Sequence, residues 1–426
     1  MIQKLIRRDW LAATAAATLG TTLENVFVPS SLRAAAKKTE PKSIAAVVTA
    51  YEKGFHADVL IGKILEGWKQ DGGPGPALKV ASMYVDQFGS KDMARAMSKK
   101  YKFPIFDTIE KAVTVGGDHI PIDGVISIGE HGDYPWNEKE QHLYPRRRFF
   151  GEITQALVRH DRVVPVFNDK HLGPVWEDAK LMYDYAQEME IPFMAGSSLV
   201  TTFRDPEINI PLGSEIEGIV GIGYSGLDIY GAHALECFQS LAERRRGAET
   251  GVKWVQCLPA DAMWKAVDEG LVRKDLLDAA LAALAVTPQQ REELRKDRDS
   301  VLFLFQYADG LLGSIFMLPD LVGGNAIALK LKGEPRLLAT RFEERTEPSY
   351  PHFAYLLKAI EKMVHSGRVS YPVERTLLTS GILDRALTSR FQKHEKLLTP
   401  ELAIRYRPVD YPHAPAPKLE SDPVPE

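Results

Sequence analysis

Three short runs in this 426-residue chain gather side chains able to move protons or bind ligands. They are Glu130-His131-Gly132-Asp133, Asp169-Lys170-His171, and Asp228 with His233. A histidine, or a lysine whose pKa is lowered, can take a proton from a hydroxyl near neutral pH. Imidazoles and carboxylates can also share a zinc, manganese or iron ion, so His131, Asp133, His171 and His233 form a divalent-metal alternative. No His-x-x-x-His spacing supports it. Arg146, Arg147 and Arg148 follow each other directly. Paired guanidinium bonds would clamp a carboxylate or phosphate, whereas a solvated or salt-bridged face is the plainer use of such a run.

Such side chains work together only if the fold brings them to one place. Apolar runs at 43–48, 78–85, 122–128, 163–167 and 192–195 have the length of strands buried on both faces. Helical stretches at about 56–68, 91–100 and 176–189 alternate with them. That alternation predicts a parallel sheet wrapped by helices, with ligands beyond the carboxyl ends of its strands. The residues at those ends are polar: Thr49 to Gly54, Asp86, Gly129 to Pro135, Asn168 to His171 and Gly196 to Ser198. Further on, Asp309-Gly310 sits between two apolar runs and predicts a hairpin. Helices are expected to begin near His233 and after Pro372. The fold class is therefore α/β, a Rossmann-type parallel-sheet domain at 42–200, followed by a second domain at 201–407.

Composition narrows the function classes. With 53 basic and 57 acidic residues the net charge is −4, and no basic excess marks a nucleic-acid partner. No apolar run is long enough for a membrane span. Cys237 and Cys257 allow at most one disulfide, and two buried free thiols are expected. Residues 1–36 read as a leader: a charged start, Arg7-Arg8-Asp9-Trp10-Leu11, an Ala/Thr/Leu segment and Ala34-Ala35-Ala36. This is a twin-arginine-type pattern, with Trp10 where Phe is usual, and it predicts export to the periplasm or beyond. Without the leader the remaining chain carries −6. A proline-rich tail at 408–426 is expected to be extended.

The βαβ series, Pro165-Val-Phe-Asn-Asp-Lys-His-Leu172 and Asp228-Ile-Tyr-Gly-Ala-His233 together resemble the Gfo/Idh/MocA family of glucose–fructose oxidoreductase and inositol dehydrogenase type. The resemblance spans about 42–407. It implies a second domain that is α+β with an open, mostly antiparallel sheet, and a homo-oligomer formed through that sheet's exposed face. Asp169-Lys170-His171 stands where the family has Glu-Lys-Pro. Asp228 lies one place from the family's aspartate, and His233 matches its histidine. The Gly-x-Gly-x-x-Gly loop has become Thr49-Ala50-Tyr51-Glu52-Lys53-Gly54, where Tyr51 is expected to put a side chain in the phosphate's place. The stretch Glu130 to Phe150 has no counterpart in the family pattern.

What the resemblance implies is a nicotinamide-dependent oxidoreductase for a sugar, polyol or derivative. Lys170 and His233 would bind the substrate hydroxyl and move its proton, with Asp228 orienting His233. NAD or NADP would contact Thr49, Tyr51, Gly54, Asp86, Glu130 and Asp169. A carboxylate at Asp86, the end of the second strand, suits ribose hydroxyls and disfavours the extra phosphate of NADP. His131, Asp133, His171 and Arg147 would face the carbohydrate. Two other classes stay open: a carbohydrate lyase, hydrolase or epimerase on the same scaffold, perhaps metal-dependent, and a periplasmic binding protein that has lost catalysis.

Overall fold

The structure, a computed structural model, describes residues 40–318 and 322–415. The leader at 1–36 and most of the proline-rich tail lie outside them. Six strands form the first sheet: β1 (Lys42–Val48), β2 (Leu78–Val85), β3 (Ile105–Phe106), β4 (Gly124–Ile128), β5 (Val166–Asp169) and β6 (Phe193–Gly196). All pair in parallel, in the order β3-β2-β1-β4-β5-β6. The helices α1 (His56–Glu66), α2 (Ala94–Tyr101), α3 (Ile109–Thr114), α4 (Arg146–Arg159) and α5 (Trp176–Glu188) connect them. β1 and β4 are buried along nearly their whole length, which is why they read as unbroken apolar runs. The strand order reverses at β1, so the crevice between the β1 and β4 tips is the place this architecture offers a ligand.

The second sheet contains β7 (Arg204–Asp205), β8 (Ile216–Gly223), β9 (Val252–Pro259), β10 (Val301–Tyr307), β11 (Leu312–Met317), β12 (Asn325–Leu331), β13 (Leu338–Phe342) and β14 (Leu397–Leu398). Its order is β14-β9-β10-β11-β8-β12-β13-β7, antiparallel except where β11 meets β8. The Asp309-Gly310 hairpin is the β10–β11 turn, with Gly310 at φ +100°.

Helices α6 (Ile229–Ala242), α7 (Ala260–Asp268), α8 (Lys274–Ala283), α9 (Pro288–Leu294), α10 (Pro351–Ser366) and α11 (Glu374–Phe391) complete the chain. Alternate residues of β10 divide between two layers. Phe303, Phe305 and Tyr307 pack with α6 and α11, while Leu302 and Leu304 pack with Met263, Leu276, Leu277 and Leu294 of α7, α8 and α9. Both faces of the second sheet are therefore covered by the chain's own helices. The open face through which the resemblance implied self-association is buried under α7–α9. Helix α10 turns back to the first sheet, where Phe353, Leu357 and Ile360 join Leu60 and Ile61 of α1 in one apolar cluster.

Cys237 on α6 and Cys257 on β9 are both buried and free, as expected. Among the described residues, no helix is long and apolar enough to cross a membrane.

Leu276 is fully buried between α8 and the sheet. Leu276→Ala is expected to cost about 2–5 kcal/mol through lost burial and a residual cavity. Urea unfolding monitored by circular dichroism measures it.

Candidate functional site

The β1 and β4 tips are joined by the Thr49 backbone N–H donating to the Ile128 carbonyl at 3.1 Å. The Thr49 hydroxyl donates to the Glu130 carbonyl at 2.5 Å. Thr49 is fully buried and thus holds the crevice floor together. The Glu130 carboxylate lies between Lys170 Nζ, at 3.0 Å, and Arg146 Nη2, at 2.5 Å. Burial alone would raise the Glu130 pKa, but Lys170 and Arg146 hold it well below the usual carboxylate range. Arg146 is the first residue of α4, and its stem runs against Gly129, where a Cβ would lie 2.7 Å from Arg146 Cγ. A glycine is required there.

Lys170 takes a left-handed backbone at φ +63°, uncommon for a residue with a side chain. Its N–H bonds to the Gly196 carbonyl, tying the β5 tip to β6. Gly196 is the second necessary glycine: at φ +125°, a Cβ would approach Glu236 Oε2 to 2.7 Å and Thr376 Oγ1 to 2.9 Å.

Above these tips lies a cavity of about 510 Å³. Its lining includes Gly54, His56, Glu130, His131, Lys170 and His233 from the first sheet's tips and α6, facing Tyr224, Tyr230, Glu344 and His352. Two histidines in it are set to opposite tasks. His56, the first residue of α1, has Nδ1 2.6 Å from Asp169 Oδ2. The buried carboxylate accepts from Nδ1–H, which in the neutral ring leaves the lone pair on Nε2. For His233, Nδ1 lies 2.6 Å from the Ser197 hydroxyl, whose oxygen already accepts the Leu199 N–H. With the hydroxyl proton given to Nδ1, neutral His233 carries its own proton on Nε2. Burial and then the Lys170 charge hold His233 well below the usual imidazole pKa. Burial also lowers His131 and His352 to about 3 each, so both are neutral. Glu344 is raised by burial and accepts from Tyr224 at 2.9 Å and Asn325 at 3.0 Å.

Several candidate residues lie elsewhere than expected. The Tyr51 side chain is buried in the apolar cluster with α1 and α10, so it does not occupy a phosphate's place. Asp228 does not orient His233. Its Oδ2 instead accepts the His142 backbone N–H at 2.8 Å, holding the loop before α4. His171 is buried and accepts from Arg146 Nη1 at 3.1 Å, behind Glu130 rather than facing the cavity. Asp133 is exposed. Arg147 points outward to Asp178 at 2.7 Å, because helical phase turns Arg146 inward and its neighbour away. The metal alternative finds no support: among the described residues no three His, Cys, Asp or Glu side chains gather as a metal set. Asp86 has both carboxylate oxygens taken. Tyr84 and Arg148 donate to Oδ1 at 2.5 and 2.6 Å, and Tyr134 donates to Oδ2 at 2.6 Å. The pairing of His56 with Asp169 went unread, since 113 residues separate them. Its one sequence signal was a histidine opening the first crossover helix.

No protein-family model matches the chain, and no curated protein matches it. Solved structures do share its fold. The NAD complex of GenD2 from gentamicin A biosynthesis aligns with a TM-score of 0.53 at 12% identity, over 84% of this chain and 97% of that one. Apo scyllo-inositol dehydrogenase from Lactobacillus casei gives 0.52 at 11%, over 84% and 98%. An NAD-binding oxidoreductase from Klebsiella pneumoniae gives 0.50 at 12%, over 84% and 98%. A six-stranded parallel sheet followed by a mostly antiparallel one is the Gfo/Idh/MocA-type fold, and this chain has it.

Two stability predictions follow from the buried charges. Burial, partly offset by the His142 N–H, raises Asp228 from an ordinary 3.8 to about 6. As pH rises, the unfolded chain loses this proton first, so the group disfavours folding increasingly from about pH 4 to pH 6 and constantly above. Asp228→Asn keeps an acceptor for His142. It is expected to raise stability by up to about 3 kcal/mol above pH 6 and leave it unchanged below pH 4, read from thermal melts across pH. Glu130→Gln strands two buried cations and is expected to cost about 3–5 kcal/mol at pH 7. A chemical-denaturation midpoint checks it.

Proposed function

We propose that the protein is an oxidoreductase acting on a hydroxylated small molecule of the sugar or polyol kind. One observation carries this reading: a proton acceptor, a hydrogen-bond donor and an ammonium group line a single cavity at the switch point of a dehydrogenase fold. His56 Nε2, backed by Asp169, is the group that accepts the proton of a substrate hydroxyl. His233 Nε2–H and Lys170 donate hydrogen bonds that fix that hydroxyl and its neighbour. Glu130 answers both Lys170 and Arg146, and the Asp169 carboxylate holds the His56 ring in place.

Support for a nicotinamide cofactor comes from the neighbours, of which the GenD2 structure holds NAD and the Klebsiella pneumoniae protein is described as NAD-binding. The adenosine end of the groove does not accept an extended dinucleotide in this conformation, because Asp86 is occupied by the chain's own donors. The same observation favours a second reading, a lyase, hydrolase or epimerase working in the cavity without nucleotide. Export by the leader at 1–36 belongs to the proposal as well, as does a homo-oligomer built through some surface other than the covered sheet face.

The test is reduced-nicotinamide absorbance with NAD or NADP against a panel of polyols and aldoses. His56→Gln, Lys170→Ala and His233→Ala are each expected to lower kcat by about 10²–10⁴-fold. Asp169→Asn should lower kcat with little change in KM. Turnover of panel sugars without any nucleotide would establish the second reading instead.

A further inference from the structure

The groove that should take the adenosine half of a dinucleotide is filled by residues 131–136. Three separate contacts hold the first part of this stretch, 131–134, to the strand tips. At the β4 tip the His131 ring stacks on Phe55, the residue just before α1, with centroids 4.2 Å apart and planes 12° from parallel. At the β2 tip the Gln87 side chain clasps the Asp133 backbone in both directions: its amide donates to the carbonyl at 2.9 Å, and its oxygen accepts the N–H at 2.8 Å. Beside it, Tyr134 donates to Asp86 at 2.6 Å. The stretch thus runs from the β4 tip over β1 to the β2 tip, which is the path of an extended dinucleotide in this architecture.

The two ends of the 130–145 segment are anchored differently. Its later part is fastened to buried groups. Lys139 Nζ and Gln141 Nε2 both donate to Asp384 at 2.9 Å, and the His142 N–H donates to Asp228. Its earlier part meets the groove through more exposed groups: Asp133 is exposed, and the Arg148 that shares Asp86 with Tyr134 is 43% exposed. At its far end the Tyr134 and Pro135 carbonyls accept from His142 Nε2 and the Leu143 N–H at 3.0 and 2.8 Å, and Trp136 stacks on His142. Gly132, at φ +101°, supplies a pivot where another residue would be strained, and a Cβ there would meet the Tyr134 ring at 2.8 Å. The bonds to be exchanged are also equivalent in kind. Tyr134 donates a hydroxyl proton to Asp86, as the hydroxyls of a ribose would.

We propose that residues 131–136 are a strap occupying the adenosine half of the groove, and that a dinucleotide binds by displacing it and taking Asp86 from Tyr134. This rests on the oxidoreductase reading above. Opening then subtracts from the affinity for every nucleotide, in proportion to how rarely the strap is up.

The test titrates NADH and NADPH by fluorescence into the wild type, Tyr134→Phe and Gln87→Ala, with hydrogen exchange followed in parallel. Each variant removes a bond at the groove and leaves the anchors at Asp384 and Asp228 in place. The expected result is about tenfold tighter NADH binding in each variant. Exchange at 131–136 should be faster in both variants than in wild type. In wild type, saturating NADH should speed exchange at 131–136 while slowing it at 49–55. Equal affinity in all three proteins, with 131–136 unaffected by NADH, would overturn the strap and leave the oxidoreductase reading standing. Faster exchange in the variants with no binding of either nucleotide would overturn the nucleotide reading, and with it the strap's role.

Discussion

One buried carboxylate organises the cavity end of this molecule. Glu130 is enclosed, and an ion so placed is tolerable only if charges and hydrogen bonds answer it. Lys170 comes from the β5 tip and Arg146 from the start of α4, so a single group joins two loops to the β4 tip. The left-handed backbone of Lys170 and the glycine at 129 follow from that demand, since the ammonium must turn back and the arginine stem must pass close. His171 lies behind the same guanidinium, and burial, then the Arg146 charge, hold its pKa well below the usual imidazole value. The cavity then inherits a rigid floor on which histidine tautomers can be set by single partners.

The loop before α4 extends this organisation across the crevice. Trp136, His142 and Tyr144 stack in sequence, with centroids 4.2 and 3.9 Å apart, and Arg146 lies over the Tyr144 ring. The ladder runs from an exposed indole to the buried ion cluster. Residues with no place in the family pattern thus bind the cavity floor to α6 and α11.

The parallel sheet was legible because each central strand is buried on both faces and announces itself as an apolar run. Strands at 78–85 and 193–196 fall almost where periodicity put them, whereas β3, two residues long, leaves no periodic signal. The convergence of strand tips was legible too, as a rule of topology. Side-chain direction was not. Arg146 and Arg147 are neighbours in sequence and opposites in space because α4 begins between the loop and the core. Tyr51 is polar in type yet packs inward, and Asp228 faces a loop backbone instead of the histidine five residues on. The continuous apolar run of β10, Val301-Leu-Phe-Leu-Phe305, did carry a signal that both sheet faces would be covered.

The two cysteines carry a different implication. Burial pushes the Cys257 thiol up to about 12 and Cys237 well above its ordinary value. A thiol held protonated and shut away from solvent neither attacks a disulfide nor yields readily to oxidants. Once folded, the second layer shields both thiols, and its packing rests on no disulfide.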